Sequence, residues 1–415
     1  MSGIVIALFI LQTLLAIGRP ALAATAVLAL LPSYLVRSEI GGIPTTILEA
    51  LLLGTIIGWA LRIIREGQAM KKLRGLALHP LFVPTALFLF AGTVAAVVSP
   101  ERLDALGIWK AYIVEPALFG LVIANVMRER RDRALALTGL AVSAAAVMAT
   151  AFLQRFAGFP IPAPWQTELR VTGPYEYPNA VGLLLAPIAT LLITVGLGIR
   201  DWGLGRRIAL ILVGILGIAA TVLSKTEAGL VGILAGLFVF GMFWTKKTRI
   251  ITLIASLVAA AIIVSPGVWP SVREKILLQD WSGTVRRVMW TETAAMLRDR
   301  PLSGAGLSGY PTVIAPYHKD PKVEIFQYPH NIVLNFWSET GLLGLLAFGW
   351  IVFEFFRLAR RRGDASLEIP LAAAMTAILI HGLVDVPYFK NDLSILFWAI
   401  VGLMAAATLP KDRKA

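Results

Sequence analysis

The chain has 415 residues, 57% of them hydrophobic and only 15% charged, with a mean hydropathy of +0.77. Soluble domains carry about 25% charged residues, so they are excluded. The formal charge of +13 does not indicate nucleic acid, because the Lys and Arg residues sit mostly in short loops between apolar runs, where cytoplasmic loops of membrane proteins retain them.

Taken in order, the apolar runs fall at 4–17, 21–35, 45–64, 81–98, 108–126, 134–152, 180–197, 209–223, 229–244, 250–264, 332–356, 371–384 and 393–409. Most have the roughly 17 to 25 residues needed to cross a hydrocarbon core. Lipid leaves no water for unpaired backbone groups, so each run is expected to be a helix. The resulting fold class is an all-α polytopic integral membrane protein with 12 or 13 transmembrane helices, a single transmembrane domain over 1–415. The first run lacks a basic segment before it and reads as a membrane helix, not a cleaved signal peptide. Glycines spaced as Gly232 and Gly236 mark helix packing.

Basic clusters recur at Arg65 with Lys71, Lys72 and Arg74, at Arg128, Arg130, Arg131 and Arg133, and at Arg200, Arg206 and Arg207. Others stand at Lys246, Lys247 and Arg249, at Arg357 with Arg360, Arg361 and Arg362, and at Lys411, Arg413 and Lys414. They occupy every second loop, so one topology makes all six cytoplasmic. The loops 36–42, 99–107, 154–177, 224–227, 266–331 and 386–392 then share the outward face.

The stretch 266–331 is the long polar interruption of the chain. Thr284 is a candidate cap for a helix whose apolar positions Val285, Val288, Met289, Ala295 and Met296 recur at helical spacing, and Pro301 ends it. Pro311 and Pro316 keep the next part irregular. The stretch is expected to form short helices capping the active site over the membrane face, not a separate soluble domain.

Four outward positions place positive charge where it is costly: Arg170, Lys225, the pair Arg286 and Arg287, and His330. A charge costs about 2.5 to 3.5 kcal/mol at the bilayer centre and less near its surface. Together they suggest an anionic group at the membrane boundary, for which a lipid pyrophosphate fits, since Arg binds phosphate through a planar fork and Lys as a point charge. For any one of them, snorkelling to lipid headgroups is an equal reading. His330 is the best general-base candidate, because an imidazole with an ordinary pKa of about 6.5 takes a proton near neutral pH. Helix capping is its alternative. His318 reads as solvent-exposed, and His79 falls on the cytoplasmic side. His381 and Asp385, four apart, share a helix face; Asp385 either orients a base, binds an acceptor sugar or makes a structural ion pair.

Metal sites are not expected: there is no Asp-x-Asp pair and no His-Glu-x-x-His. The chain contains no cysteine, which excludes disulfides and thiolate ligands. No cofactor is implied. A transporter would show paired halves with broken helices near mid-membrane, and no internal repeat is visible.

Pro329-His330-Asn331 followed by Glu339-Thr340-Gly341-Leu342-Leu343-Gly344-Leu345 resembles the signature of the O-antigen ligase and O-antigen polymerase superfamily, in which nine residues separate His-Asn from a Gly. Arg286-Arg287-Val288-Met289-Trp290 with Pro301-Leu302-Ser303-Gly304-Ala305-Gly306, and Arg170-Val171-Thr172-Gly173-Pro174 with Pro178-Asn179, are similar to the family's earlier stretches. The resemblance covers roughly 170–392. It implies a GT-C-like, inverting, metal-independent glycosyltransferase of the bacterial inner membrane. Such enzymes move a glycan from undecaprenyl pyrophosphate to an acceptor hydroxyl on the outer face. By the same resemblance Arg170 and Arg286 hold the pyrophosphate, with Arg286 preferred over Arg287 for its spacing to Trp290, and His330 acts on the acceptor, with Asn331 beside it. Lys225 departs from the family's Ser-Arg turn; charge is kept and the fork is lost. The acceptor stays open between lipid A core, a growing glycan and a protein hydroxyl. The short His-Asn-x9-Gly loop favours the ligase form.

Overall fold

The computed structural model describes residues 2–360 and 367–409. Arg361, Arg362, Lys411, Arg413 and Lys414, part of the basic pattern, lie outside the described residues. Each of the thirteen apolar runs forms a helix, and the chain is an all-α polytopic membrane protein. Among the described residues eight helices are long and apolar enough to cross a membrane, and four apolar ones are shorter: Ser2–Gly18, Pro20–Ala29, Phe82–Val98 and Glu368–His381. Pro20–Ala29, at 1.5 Å per residue, reaches about 15 Å, half a hydrocarbon core, so this second run does not cross unaided.

The one departure from an all-helical chain among the described residues is a hairpin, Arg37–Ile40 against Ile43–Thr46, in antiparallel register from Arg37 opposite Thr46 to Ile40 opposite Ile43. Its turn is Gly41-Gly42, both at positive φ, the backbone that a two-residue hairpin turn requires and that glycine adopts without penalty.

Asn179–Gly198 is the central helix, with nearly its whole length buried, and Asn391–Thr408 comes next. Around them, small residues let backbones approach. A Cβ at Gly232 would stand 2.7 Å from the carbonyl of Ala377, and one at Gly236 would meet Ala373 and Thr190. The expected packing role of these glycines is therefore observed between Glu227–Trp244 and Glu368–His381. Lys246–Ile263 buries none of its residues and lies at the periphery. Within the bundle Lys110 pairs with the buried Glu49, so each neutralises a charge that would otherwise be costly there.

The 332–356 run, continuous in its hydropathy, is broken in the structure. Gly341, inside Ile332–Ala359, has φ +69°, and the turn after Pro301 fills the gap: Ala305 N–H donates to the Ser338 carbonyl at 2.7 Å and Leu342 N–H to the Leu302 carbonyl at 3.1 Å. Backbone groups released by the break are thus paired again inside the protein, the condition for non-helical backbone at membrane depth.

Hydrogen bonds join five of the six loops assigned to one face. Ser99 Oγ donates to the Leu307 carbonyl at 2.7 Å, Arg170 Nε to the Ser224 carbonyl at 3.1 Å, and Tyr175 Oη to Asp392 at 3.2 Å. On the opposite face Arg130 pairs with Asp201 at 3.0 Å, joining two of the basic loops. Stretch 266–331 contains Trp269–Ile276, Trp281–Asp299 and Tyr310–Ile314, with a small core of Met296, Leu297, Ala305, Tyr310, Val313 and Ile314. Trp281–Asp299 is capped by Asp280, whose side chain accepts from Gly283 N–H at 2.8 Å. Thr284, the residue expected to cap, lies inside the helix; the start is one turn earlier because Asp280 offers the better acceptor.

Candidate functional site

Asn331 caps Ile332–Ala359, its side-chain oxygen accepting from Val333 N–H at 3.0 Å and Leu334 N–H at 3.1 Å. Its amide donates to the Leu383 carbonyl at 2.9 Å, and Ile332 N–H donates to the Gly382 carbonyl at 2.6 Å. Asn331 therefore clamps the start of this helix to the 382–390 loop. The preceding residue, His330, takes φ +47°, a left-handed conformation that costs a side chain-bearing residue about 1 to 2 kcal/mol. That turn aims the imidazole at Asp385: Nδ1 stands 3.2 Å from Oδ1. Phe326 meets the imidazole edge to face at 5.3 Å, and Trp290 Nε1 donates to the Pro329 carbonyl at 2.9 Å.

Asp385 is buried, its side chain 5% exposed, whereas that of His330 is 29% exposed. Burial alone pushes the Asp385 carboxyl up. The hydrogen bond and charge of His330, the charge of His381 and the Val386 N–H outweigh it and hold the group below the usual carboxylate range. An ionised carboxylate only accepts, so toward it Nδ1 of His330 is the donor, and Nε2, on the other side of the ring, is left facing away from it.

The second oxygen of Asp385 leads to the other loops. Asn179 Nδ2 donates to Oδ2 at 2.9 Å, and Arg170 donates through a terminal nitrogen to Asn179 Oδ1 at 3.2 Å. Arg170 stacks over Trp165 at 5.0 Å, and burial lowers its pKa from the ordinary value while Glu168 and Glu227 oppose that. Arg170, Asn179, Asp385 and His330 thus form one hydrogen-bonded chain.

Lys225 sits in the turn whose Ser224 carbonyl receives Arg170, and its Nζ donates to the Glu168 carbonyl at 2.8 Å. Of the five non-glycine residues at positive φ among those described, Leu169, Lys225 and His330 flank or belong to this cluster. Strain of this kind persists where surrounding structure enforces it and concentrates at working sites.

Arg286 and Arg287 separate. Arg286 Nε donates to the Val384 carbonyl at 2.8 Å, next to Asp385, and a terminal nitrogen to Ser282 Oγ at 2.8 Å. Among the described residues Arg287 reaches only Thr284, in its own helix, at 3.3 Å in an exposed position.

Two expectations are corrected. His381 and Asp385 do not share a helix, since Glu368–His381 ends at His381. His381 Nε2 stands 3.8 Å from Asp385 Oδ2, within ion-pair range but too long for a hydrogen bond, and the loop turns Asp385 toward His330. His318 is not free in solvent: its Nδ1 lies 3.1 Å from Glu292, which also accepts from Lys319 N–H at 2.8 Å, so it fastens its segment to the long helix of the loop. His79, excluded from the site by topology, lies 3.2 Å from Thr408, far along the chain. Asn179 carries a sequence signal only as part of the Pro178-Asn179 motif, and Trp165 carries none of its own; the structure makes both neighbours of Arg170.

A multi-pass helical bundle with a basic and histidine cluster gathered by loops on one face is the class these observations define. Residues 211–349 match the family model described as O-antigen ligase, which supports membership in the O-antigen ligase and polymerase superfamily. The match includes Lys225, Arg286, Arg287, His330 and Asn331; Arg170, Asn179, His381 and Asp385 lie outside it. A comparison with curated proteins finds no match.

Proposed function

We propose that the protein is an inverting, metal-independent glycosyltransferase that moves a glycan from undecaprenyl pyrophosphate to an acceptor hydroxyl, with lipid A core as the acceptor of an O-antigen ligase. The observation that carries this reading is the hydrogen-bonded chain Arg170, Asn179, Asp385, His330, because it couples a phosphate-binding side chain to a base through one buried carboxylate.

In this mechanism His330 Nε2 takes the proton of the acceptor hydroxyl, and the oxygen attacks the anomeric carbon opposite the leaving group, inverting its configuration. The electrons of the breaking carbon–oxygen bond go to the pyrophosphate, whose charge Arg170, Arg286 and Lys225 stabilise as it develops. Asp385 holds the imidazole in the required tautomer and stabilises the imidazolium. Stretch 266–331 serves as the cap over this site. Localisation in the bacterial inner membrane, with the site facing the periplasm, accords with basic loops on the cytoplasmic side.

Polymerase action, with a growing glycan as acceptor, is the second reading, favoured by the same family match. Reconstitution with a polyprenyl pyrophosphate glycan and separate acceptors, in excess chelator, tests the proposal. A glycosylated lipid A core is expected; an extended glycan would establish the polymerase, absence of transfer to any acceptor would refute glycosyl transfer, and loss only on chelation would refute the metal-free mechanism.

A further inference from the structure

Among the described residues, none of those between the peripheral helix and the helix carrying Arg286 is buried. Lys246–Ile263 buries none of its residues; Ile250 is 59% exposed and Leu257 72%. An apolar helix exposed on this scale in a membrane protein has hydrocarbon for its surroundings. From its end the chain turns without slack, Ser265 N–H donating to the Ile262 carbonyl at 3.1 Å and Trp269 N–H to the Ser265 carbonyl at 2.9 Å. The turn therefore holds the next helix at the membrane boundary.

Trp269–Ile276, that next helix, also buries nothing. Trp269, Val272 and Ile276 share one face, Arg273 stands at its edge between Trp269 and the capping Leu277, and Ser271 and Glu274 lie opposite. Ile276 and Trp281 are both about two-thirds exposed. Lys275 pairs with Glu227, two residues from Lys225, and Trp281 opens the helix that bears Arg286.

We propose that Trp269–Ile276 is an interfacial anchor, lying in the headgroup region of the leaflet on the loop-bearing face, with Trp269, Val272 and Ile276 toward the acyl chains, Arg273 at the headgroups and Trp281 at the rim. The occupant of this apolar face is the bilayer: the segment leaves a lipid-facing helix at its edge, and its tryptophans and basic residues, Arg273 and Lys275, match the chemistry of a membrane interface. The anchor would fix the height of Arg286 and of the Lys225 turn above the hydrocarbon.

The chain's lack of cysteine allows a direct test. The full protein carrying Trp269→Cys, Ile276→Cys, Ser271→Cys or Glu274→Cys, each labelled with an environment-sensitive fluorophore, is placed in nanodiscs whose lipids are brominated just below the headgroup. Quenching about twofold or more stronger at 269 and 276 than at 271 and 274 is expected for a helix lying in the interface. Equal quenching at all four positions, or none, overturns the proposal. So does a blue shift at 269 and 276 without bromine quenching, which would mean that a protein surface such as a second copy covers the face. Because the readout requires no turnover, the anchor stands or falls separately from glycosyl transfer.

Discussion

His330 Nδ1 stands 3.2 Å from Asp385 Oδ1, a contact between residues 55 apart in sequence. The carboxylate is buried and further held by Asn179 Nδ2 and Val386 N–H, both at 2.9 Å. It therefore fixes the orientation of the imidazole, with Nδ1 toward the carboxylate.

Asp385→Asn keeps the size of the side chain and replaces an obligate acceptor by an amide. Transfer is expected to fall by about 10²- to 10⁴-fold, the scale seen when the carboxylate behind a catalytic histidine is removed. The fall should appear in kcat, with the donor KM little changed, and steady-state kinetics on reconstituted protein would separate the two.

The neighbouring arginines are expected to differ. Arg286 reaches the Val384 carbonyl beside Asp385, whereas among the described residues Arg287 bonds only Thr284. Arg286→Ala should reduce transfer by about 100-fold, the scale of a lost charge-stabilising donor, and Arg287→Ala by about threefold or less, as for an exposed charge. Equal losses in a parallel assay would contradict the assignment.

A pH dependence of stability arises from Asp385. Its carboxyl is held below the ordinary range in the folded protein, so the unfolded chain binds the proton more readily. The stabilisation is fully present above the unfolded pKa of about 3.9 and is lost as pH falls through the lower folded value. On acidification, melting curves of wild type and Asp385→Asn in nanodiscs should stay separated down to about pH 5 and converge below about pH 4, as the carboxylate takes up its proton. Convergence beginning above pH 5 would mean a raised pKa.

Gly341→Ala tests the helix break. At φ +69° a Cβ would meet the Leu302 carbonyl, the acceptor that re-pairs Leu342. A loss of about 1 to 3 kcal/mol is expected for a strained backbone at a close contact, read as a lower melting temperature, whereas Gly349→Ala, where a Cβ would meet nothing within 4 Å, should leave it unchanged.

Much of the fold is legible in the sequence because its signals are local. Thirteen apolar runs specify thirteen helices, since backbone in lipid has no other partner than itself, and the spacing of Lys and Arg groups loops that hydrogen-bond to one another in the structure. His330, Arg170 and Lys225 stand out as polar groups at costly depths. The pairing of Asp385 is not legible: spacing assigns it to His381, but the helix ends there, and the actual partners, His330 and Asn179, arrive from other loops. No periodicity encodes a bond between residues 206 apart, as Asn179 and Asp385 are. The break at Gly341 is hidden for a related reason, because the groups that compensate it come from the turn after Pro301.

The most direct test of the central claim is single-turnover transfer by His330→Ala in reconstituted membranes, with donor binding measured on the same preparation. Removal of the base is predicted to slow transfer by about 10²- to 10⁴-fold while the polyprenyl pyrophosphate donor still binds. Transfer within a few-fold of wild type would contradict it.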